Sequence, residues 1–161
     1  MAASALQTAN TFIALANEIE APLDQLKLQK LLYLAQGISL AVLDERLILE
    51  DIEAWRYGPV IPSVYRASKA YGREPILKPL TTHLGTTPSP IEVGCSEADV
   101  VAHTLQAYGH YTGVQLIALT HDRDLPEGRP WAETYSSANP YANPVIPEDL
   151  MRKSFRRLEV G

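Results

Sequence analysis

The stretch QLKLQKLLYLAQGISLAVL, residues 25–43, decides the fold of this chain. It contains no proline, and Asp24 before it is a residue type that caps helix N-termini. Its apolar side chains form two stripes on nearly opposite sides of a helix. One stripe comprises Leu28, Leu31, Leu32, Ala35 and Ser39, and the other comprises Leu26, Tyr33 and Leu40. We therefore expect a central helix, covered by neighbouring helices on both sides or by a partner on one.

Two lysines interrupt this apolar helix. Burying an unpaired ammonium group costs far more free energy than packing returns. We therefore expect Lys27 and Lys30 to reach solvent or an acidic partner. The alternative is that they pair internally with acidic side chains further along the chain, such as Glu50, Asp51 and Glu53.

Working outward, the segment before the central helix is also helical. In residues 4–20 the apolar side chains recur at helical spacing, which predicts an amphipathic helix with Ser4 as its N-cap. The polar side chains that fall opposite the apolar stripe are Gln7, Asn10, Thr11 and Glu18. Further helices are predicted at residues 62–71, 96–108, 112–121 and 147–158. The prediction is an all-α fold, with residues 1–161 forming a single compact domain of five to six helices joined by long proline-rich loops.

The stretch AWRYGPVIPSVYR, residues 54–66, breaks the helical pattern. Gly58 followed by Pro59 predicts a rigid corner, and Pro62 suits the first turn of a helix because its missing N–H is not needed there. We expect Trp55 and Tyr57 to lie in the core beneath this corner, with exposed partner contacts as the alternative. The helix that follows carries four side chains expected on the surface: Tyr65, Arg66, Lys69 and Arg73.

Charge is distributed unevenly along the 161 residues, whose net charge is −5. Residues 54–78 carry five Lys or Arg against one Glu, and residues 151–161 carry four against one. Such blocks steer an acidic protein or a phosphate backbone. The basic and aromatic residues of 54–78 and the tail MRKSFRRL are therefore also compatible with a nucleic-acid-binding regulator.

The composition points to a compartment. No apolar run approaches the length of a bilayer span, and the N-terminal residues lack the pattern of a secretory signal. A single cysteine, Cys95, allows no internal disulfide. These features favour a protein of the reducing cytoplasm, without a membrane partner.

Catalytic signatures are not found in the sequence. There is no nucleophile elbow, phosphate-binding loop or dinucleotide fingerprint. His121, Asp122 and Asp124 on one loop make a poor metal cage, and no sequence signature supplies Cys95 with a base. We expect His121 to end a helix and bond its last carbonyls. The chain is predicted to be no enzyme and to need no metal or cofactor.

Three segments together resemble the Panacea domain family, which includes SocA-like antitoxins and GepA-like phage-associated proteins. They are LDQLKLQKLLYLAQG at 23–37, IEAWRYGPVIPSVYRASKAYG at 52–72 and LTHDRDLPEGRPW at 119–131. The resemblance extends from about residue 8 to residue 158. It implies a mostly helical antitoxin that neutralises its toxin by direct binding, or, as in one branch, an adaptor that delivers the toxin to an ATP-dependent protease.

The expected partner is thus a cognate protein toxin encoded by an adjacent gene, with a protease as a further candidate, and not nucleic acid. Residues predicted to bind the partner are Lys27, Lys30, Tyr33, Tyr57, Tyr65, Arg66, Lys69 and Arg73. Residues predicted to have structural roles are Gln29, Gln36, Trp55, Gly58, Pro59, Pro62, His121 and Trp131.

Overall fold

The computed structural model describes residues 1–136, 139 and 141–159. These form seven α-helices and one β-hairpin, with 3₁₀ turns after the third and seventh helices. The helices are α1 (Ala5–Glu18), α2 (Gln25–Val42), α3 (Pro62–Ser68), α4 (Ser96–Tyr108), α5 (Gly113–His121), α6 (Arg129–Ser136) and α7 (Glu148–Phe155). The strands are β1 (Glu53–Trp55) and β2 (Gly58–Val60), and the 3₁₀ turns are Lys69–Tyr71 and Arg156–Glu159.

The predicted helix starts are confirmed by their caps. The Ser4 side chain accepts the N–H of Gln7 at the start of α1, and the Asp24 carboxylate accepts the N–H of Lys27 in α2. Thr112 and Gln115 form a reciprocal capping box at the start of α5. Each cap satisfies N–H groups that the first helical turn leaves without a partner.

The mostly helical class is correct, but two elements differ from the prediction. A seventh helix, α6, lies between the helices predicted at 112–121 and 147–158, where the sequence predicts a proline-rich loop; Pro130 fits because it is the second residue of that helix. The corner at Gly58 is an antiparallel hairpin in which Glu53 pairs with Val60 and Trp55 with Gly58. Three-residue strands are too short to show an alternating pattern in the sequence.

Helix α2 is the centre of the fold. Every residue from Leu28 to Ala41 is buried, and α2 packs most extensively against α7 and α4 while also contacting α1, α3 and α5. The closest approach is at Gly37, where the ring of Phe155 lies against the α2 backbone. In the described part of the chain, no helix combines the length and apolar character needed to cross a membrane.

The polar side of α1 is not the solvent-facing side that the sequence predicts. Asn10 is only 1% exposed: its amide donates to the carbonyls of Leu80 and Pro88 and accepts the N–H of Leu80. Thr11 accepts the N–H of Ile91. The long proline-rich loop therefore packs over α1 and satisfies its polar face.

Substituting Gly37→Ala should test the close packing of α2 and α7. The added Cβ would lie 2.5 Å from three ring carbons of Phe155. Although alanine favours helix, we expect a net loss of about 1–3 kcal/mol in the free energy of unfolding, because a packed core resists added volume. Denaturant unfolding measures it.

The control is the same substitution in a Phe155→Leu background, which removes the outer ring carbons. There Gly37→Ala should cost much less, since the two changes are coupled through one contact. An equal cost in both backgrounds would show that the ring does not limit this position.

Candidate functional site

The glutamines of the central helix bind the backbone of the segments that follow it. Gln36 Oε1 accepts the N–H groups of Leu47 and Ile48, each at 2.9 Å, and its amide donates to the Ile48 carbonyl. Gln29 makes a two-way amide pair with Ile61, accepting its N–H at 2.9 Å and donating to its carbonyl at 3.2 Å. Both glutamines thus bond to loop backbone in the interior of the protein.

Like the two glutamines, Lys30 bonds to internal backbone. The expectation that it reaches solvent or an acidic partner is therefore wrong. Its side chain is fully buried, and Nζ donates to the carbonyl of Tyr57 at 3.1 Å. Within the described residues no carboxylate pairs with it, so the alternative of an internal ion pair is not found either. Burial lowers the pKa of Lys30 to about 8 because the charged form loses its hydration.

Tyr33 was also predicted to bind the partner, but its side chain is completely buried. Its hydroxyl donates to the carbonyl of Glu127 at 2.6 Å, and its ring packs edge-on against Phe155 with centroids 5.6 Å apart. Burial raises the pKa of Tyr33 well above its usual value. The side chain therefore joins α2 to the segment before α6.

The side chain of Lys27 extends from α2 to the C-terminal end of α4. Its Nζ donates to the carbonyl of Gly109 at 2.7 Å, where a cation also meets the negative end of the helix dipole. Burial lowers the pKa of Lys27, and the neighbouring Asp24 opposes that shift. Since Lys30 is buried and Lys27 is bonded at α4, these two lysines, both predicted to bind the partner, do not join the cations of α3 in one exposed surface.

The hairpin rests on a cluster around Gly58. Gly58 has a φ of +123°, and a Cβ there would lie 2.7 Å from Lys30 Nζ and 3.1 Å from His121 Nε2. The His121 ring stacks on the Trp131 ring with centroids 4.0 Å apart. Trp131 Nε1 donates to the carbonyl of Trp55 at 2.8 Å. Lys30, His121 and Trp131 thus hold both strands of the hairpin from beneath.

His121 has a structural role, but not the one predicted from the sequence. Its ring stacks on Trp131 instead of bonding the last carbonyls of α5. Burial lowers the pKa of His121, the backbone of Tyr57 opposes the shift, and the Lys30 charge lowers it further. The other two residues considered with His121 as metal ligands bond to each other, since the Asp122 carboxylate accepts the N–H of Asp124. No group of three or more His, Cys, Asp or Glu that could hold a metal occurs among the described residues.

The hairpin turn and α3 form the exposed part of the site. Tyr57 is 70% exposed, so its expected place in the core is wrong and the alternative of an exposed side chain is correct. Trp55 is half-buried. Its ring packs against that of Tyr65 with the ring centroids 5.2 Å apart, which joins the hairpin to α3. We call the exposed side chains here the hairpin–α3 surface: Arg56, Tyr57, Tyr65, Arg66, Lys69 and Arg73.

The cations of this surface differ from the arginine of α7 in their ion pairing. Within the described residues none of them forms an ion pair, whereas Arg152 in α7 contacts the carboxylates of Asp44, Glu148 and Asp149. A partner can therefore approach these charges without first breaking an internal pair. The surface combines Tyr and Arg, residue types that dominate binding energy at protein interfaces.

Two contributors were missed in the sequence. Glu127 accepts from Tyr33 through its carbonyl and from Tyr108 through its carboxylate at 3.0 Å. Arg56 lies over the Tyr57 ring at 5.4 Å. The segment LPEGRPW, which contains Glu127, is part of a family motif, but its spacing does not show which side chain faces inward. Arg56 could have been found from its place in the basic block at residues 54–78.

Substituting Gly58→Ala should destabilise the protein more than alanine at another glycine with positive φ. The backbone strain at such a position costs about 1–3 kcal/mol. At Gly58 the methyl group must also displace Lys30 or His121, which should add about 1–3 kcal/mol. Gly94→Ala is the matched control, because Gly94 has a φ of +100° and no atom within 4 Å of an added Cβ. Equal losses in urea unfolding would contradict the packing of Lys30 beneath the turn.

The lowered pKa of Lys30 makes stability depend on pH. Above pH 8 the folded protein loses this proton, whereas the unfolded chain keeps it until about pH 10.5. The unfolded state thus binds more protons in this window, so stability rises with pH. Relative to Lys30→Met, the wild type should gain about 2 kcal/mol between pH 7.5 and pH 9.5.

The comparison with Lys30→Met cancels the contribution of Lys27, which both proteins retain. It also stays below the range in which the raised pKa values of Tyr33 and Tyr108 reduce stability. Unfolding free energies from denaturant titrations at each pH provide the measurement. Parallel curves for the two proteins would show that Lys30 does not titrate in this window.

Comparison with known proteins supplies the identity of the fold family. The antitoxin SocA-like, Panacea domain family matches residues 28–126. Antitoxin SocA of Caulobacter vibrioides (strain NA1000 / CB15N) is 32% identical over 131 residues, which cover 76% of this chain and 65% of that protein. The chain thus spans just under two thirds of the length of this curated relative, and no solved structure matches it significantly. The chain belongs to the antitoxin SocA-like, Panacea domain family.

Proposed function

We propose that this protein is an antitoxin that neutralises a protein toxin by binding it directly through the hairpin–α3 surface. One observation carries the proposal: the polar motif side chains of α2 bond to internal backbone, while the cations and tyrosines of the hairpin–α3 surface remain exposed and its cations form no ion pair with the described residues. The motif therefore builds a surface without using its own α2 residues to contact the partner. The toxin is the product of an adjacent gene, in the cytoplasm that the composition favours.

The partner on this surface is expected to be acidic. Four cations between residues 56 and 73 form no ion pair with any described residue, so they are available to attract a complementary partner during encounter. Tyr57 and Tyr65 add apolar area with little loss of side-chain freedom on binding. The combination supports a protein interface in which charges steer the approach and aromatic rings supply binding energy.

A nucleic-acid-binding regulator is the alternative, and one feature counts against it. The C-terminal basic block would have to extend the binding surface, but Arg152 and Arg156 of that block pair with Asp44. Binding of DNA or RNA would fall steeply with salt because phosphate contacts release counterions. A mobility-shift experiment at low salt, about 50 mM, distinguishes the two functions.

Reversing two charges on α3 should abolish neutralisation without unfolding the protein. In Arg66→Glu with Lys69→Glu, both positions are exposed, so the melting temperature should change little. Toxin affinity should fall by about 10- to 100-fold, because like charges then face each other across the interface. The measurements are growth rescue on co-expression with the adjacent gene product, a binding titration and a thermal melt.

The matched control reverses two exposed cations of the C-terminal block, Lys153→Glu with Arg157→Glu. It changes the net charge by the same amount and should leave growth rescue intact. Equal loss in both double variants would show that overall charge, not the hairpin–α3 surface, determines binding. Shortened toxin half-life that depends on an ATP-dependent protease would instead assign the adaptor role.

A further inference from the structure

A cavity of about 560 Å³ lies beside the hairpin–α3 surface, between α3 and the loop at residues 81–88. One wall is a single face of α3 formed by Ser63, Arg66 and Ala67. The opposite wall includes His83 and Leu84, both exposed at the rim. Because Arg66 lines the cavity and also belongs to the hairpin–α3 surface, the two are continuous.

The loop wall is held in place by buried hydrogen bonds. Asn10 binds Leu80 and Pro88, the two ends of the loop, at 2.7–3.1 Å. Within the loop, Thr82 donates its N–H to the carbonyl of Thr86 at 2.8 Å, and their hydroxyls meet at 2.6 Å. The cavity therefore has two fixed walls.

The charged groups of the cavity favour an anion. Glu50 also lies in the lining, but both of its carboxylate oxygens have donors: one accepts the N–H of Ala5 at 2.9 Å and the other accepts the Ser63 hydroxyl at 3.4 Å. Arg66 forms no ion pair within the described residues. A guanidinium without a carboxylate is suited to bidentate recognition of one.

The remaining lining favours an extended polypeptide over a small ligand. Five Ser and Thr residues line the cavity, and a hydroxyl is a group that can both donate to and accept from a peptide backbone. The rim is open, since Leu84 is 78% exposed, whereas sites for small molecules enclose most of the ligand surface. Leu6 of α1, Ala67 of the α3 wall and Leu84 of the loop wall offer apolar contacts to such a segment.

We propose that this cavity binds an extended acidic segment of the protein partner, with a carboxylate on Arg66 and the backbone along the hydroxyl-lined walls. The proposal deepens the proposed function, on which it rests, by assigning a second docking element to the partner. It predicts that the toxin contributes a peptide-like segment rich in Asp or Glu in addition to the contacts of the hairpin turn.

The test uses the full chain and phage-displayed peptides of random sequence. Peptides selected on the wild type should be enriched in Asp and Glu. Their affinity should fall at least about tenfold for Ala67→Trp, which fills the cavity, and remain unchanged for Ala70→Trp, an exposed position on the same segment outside it. No acidic enrichment, or equal binding to both variants, would overturn the proposal.

A second pair of variants removes dependence on the folding of Ala67→Trp. Leu84→Asp places a negative charge at the rim and should repel the acidic peptides, while Leu77→Asp, at a similarly exposed leucine outside the cavity, should not. Co-expression with the adjacent gene product is scored separately. If the wild type fails to neutralise any toxin, the proposed function fails; if it neutralises but acidic peptides ignore Ala67→Trp and Leu84→Asp, only the cavity assignment fails.

Discussion

The burial of α2 on all sides is the constraint on which the rest of the structure depends. From Leu28 to Ala41 every residue of this helix is buried, so each polar side chain in that span needs a hydrogen-bond partner inside the protein. The backbone groups of α2 are already paired within the helix. Its glutamines, lysine and tyrosine therefore bond to the main chain of other segments. These bonds fix the chain at Leu47–Ile48, Tyr57, Ile61 and Glu127.

This arrangement separates two roles within one sequence motif. The α2 side chains and the Gly58 cluster set the shape and position of the hairpin, and the hairpin turn and α3 carry the groups that a partner can touch. Burial of the Lys30 ammonium costs folding free energy, because one backbone carbonyl replaces its hydration. The same hydrogen bond holds the turn that carries Tyr57 against the core, so the exposed Tyr57 ring stands on a rigid support.

The charges of the molecule are divided in a parallel way. Arg152 in α7 and Arg156 just after it pair with carboxylates of their own chain, whereas the cations between residues 56 and 73 form no ion pair in the part of the chain that the structure describes. Exposed charges contribute little to folding, so leaving them unpaired costs the fold almost nothing. They create a local positive field on a protein whose net charge is −5, and such a field directs an acidic partner to one face.

The sequence by itself determined the helix starts at Ser4, Asp24 and Thr112, the central position of α2 and the family motif, because caps, prolines and periodicity act within a turn or two of chain. It also placed Tyr65, Arg66, Lys69 and Arg73 on the surface. Only the tertiary structure decided that Lys30 and Asn10 are buried. Their acceptors are the carbonyl of Tyr57 and the ends of the loop at Leu80 and Pro88, all far away in sequence. A polar side chain is buried only where such a distant group meets it, and helical periodicity carries no information about that group.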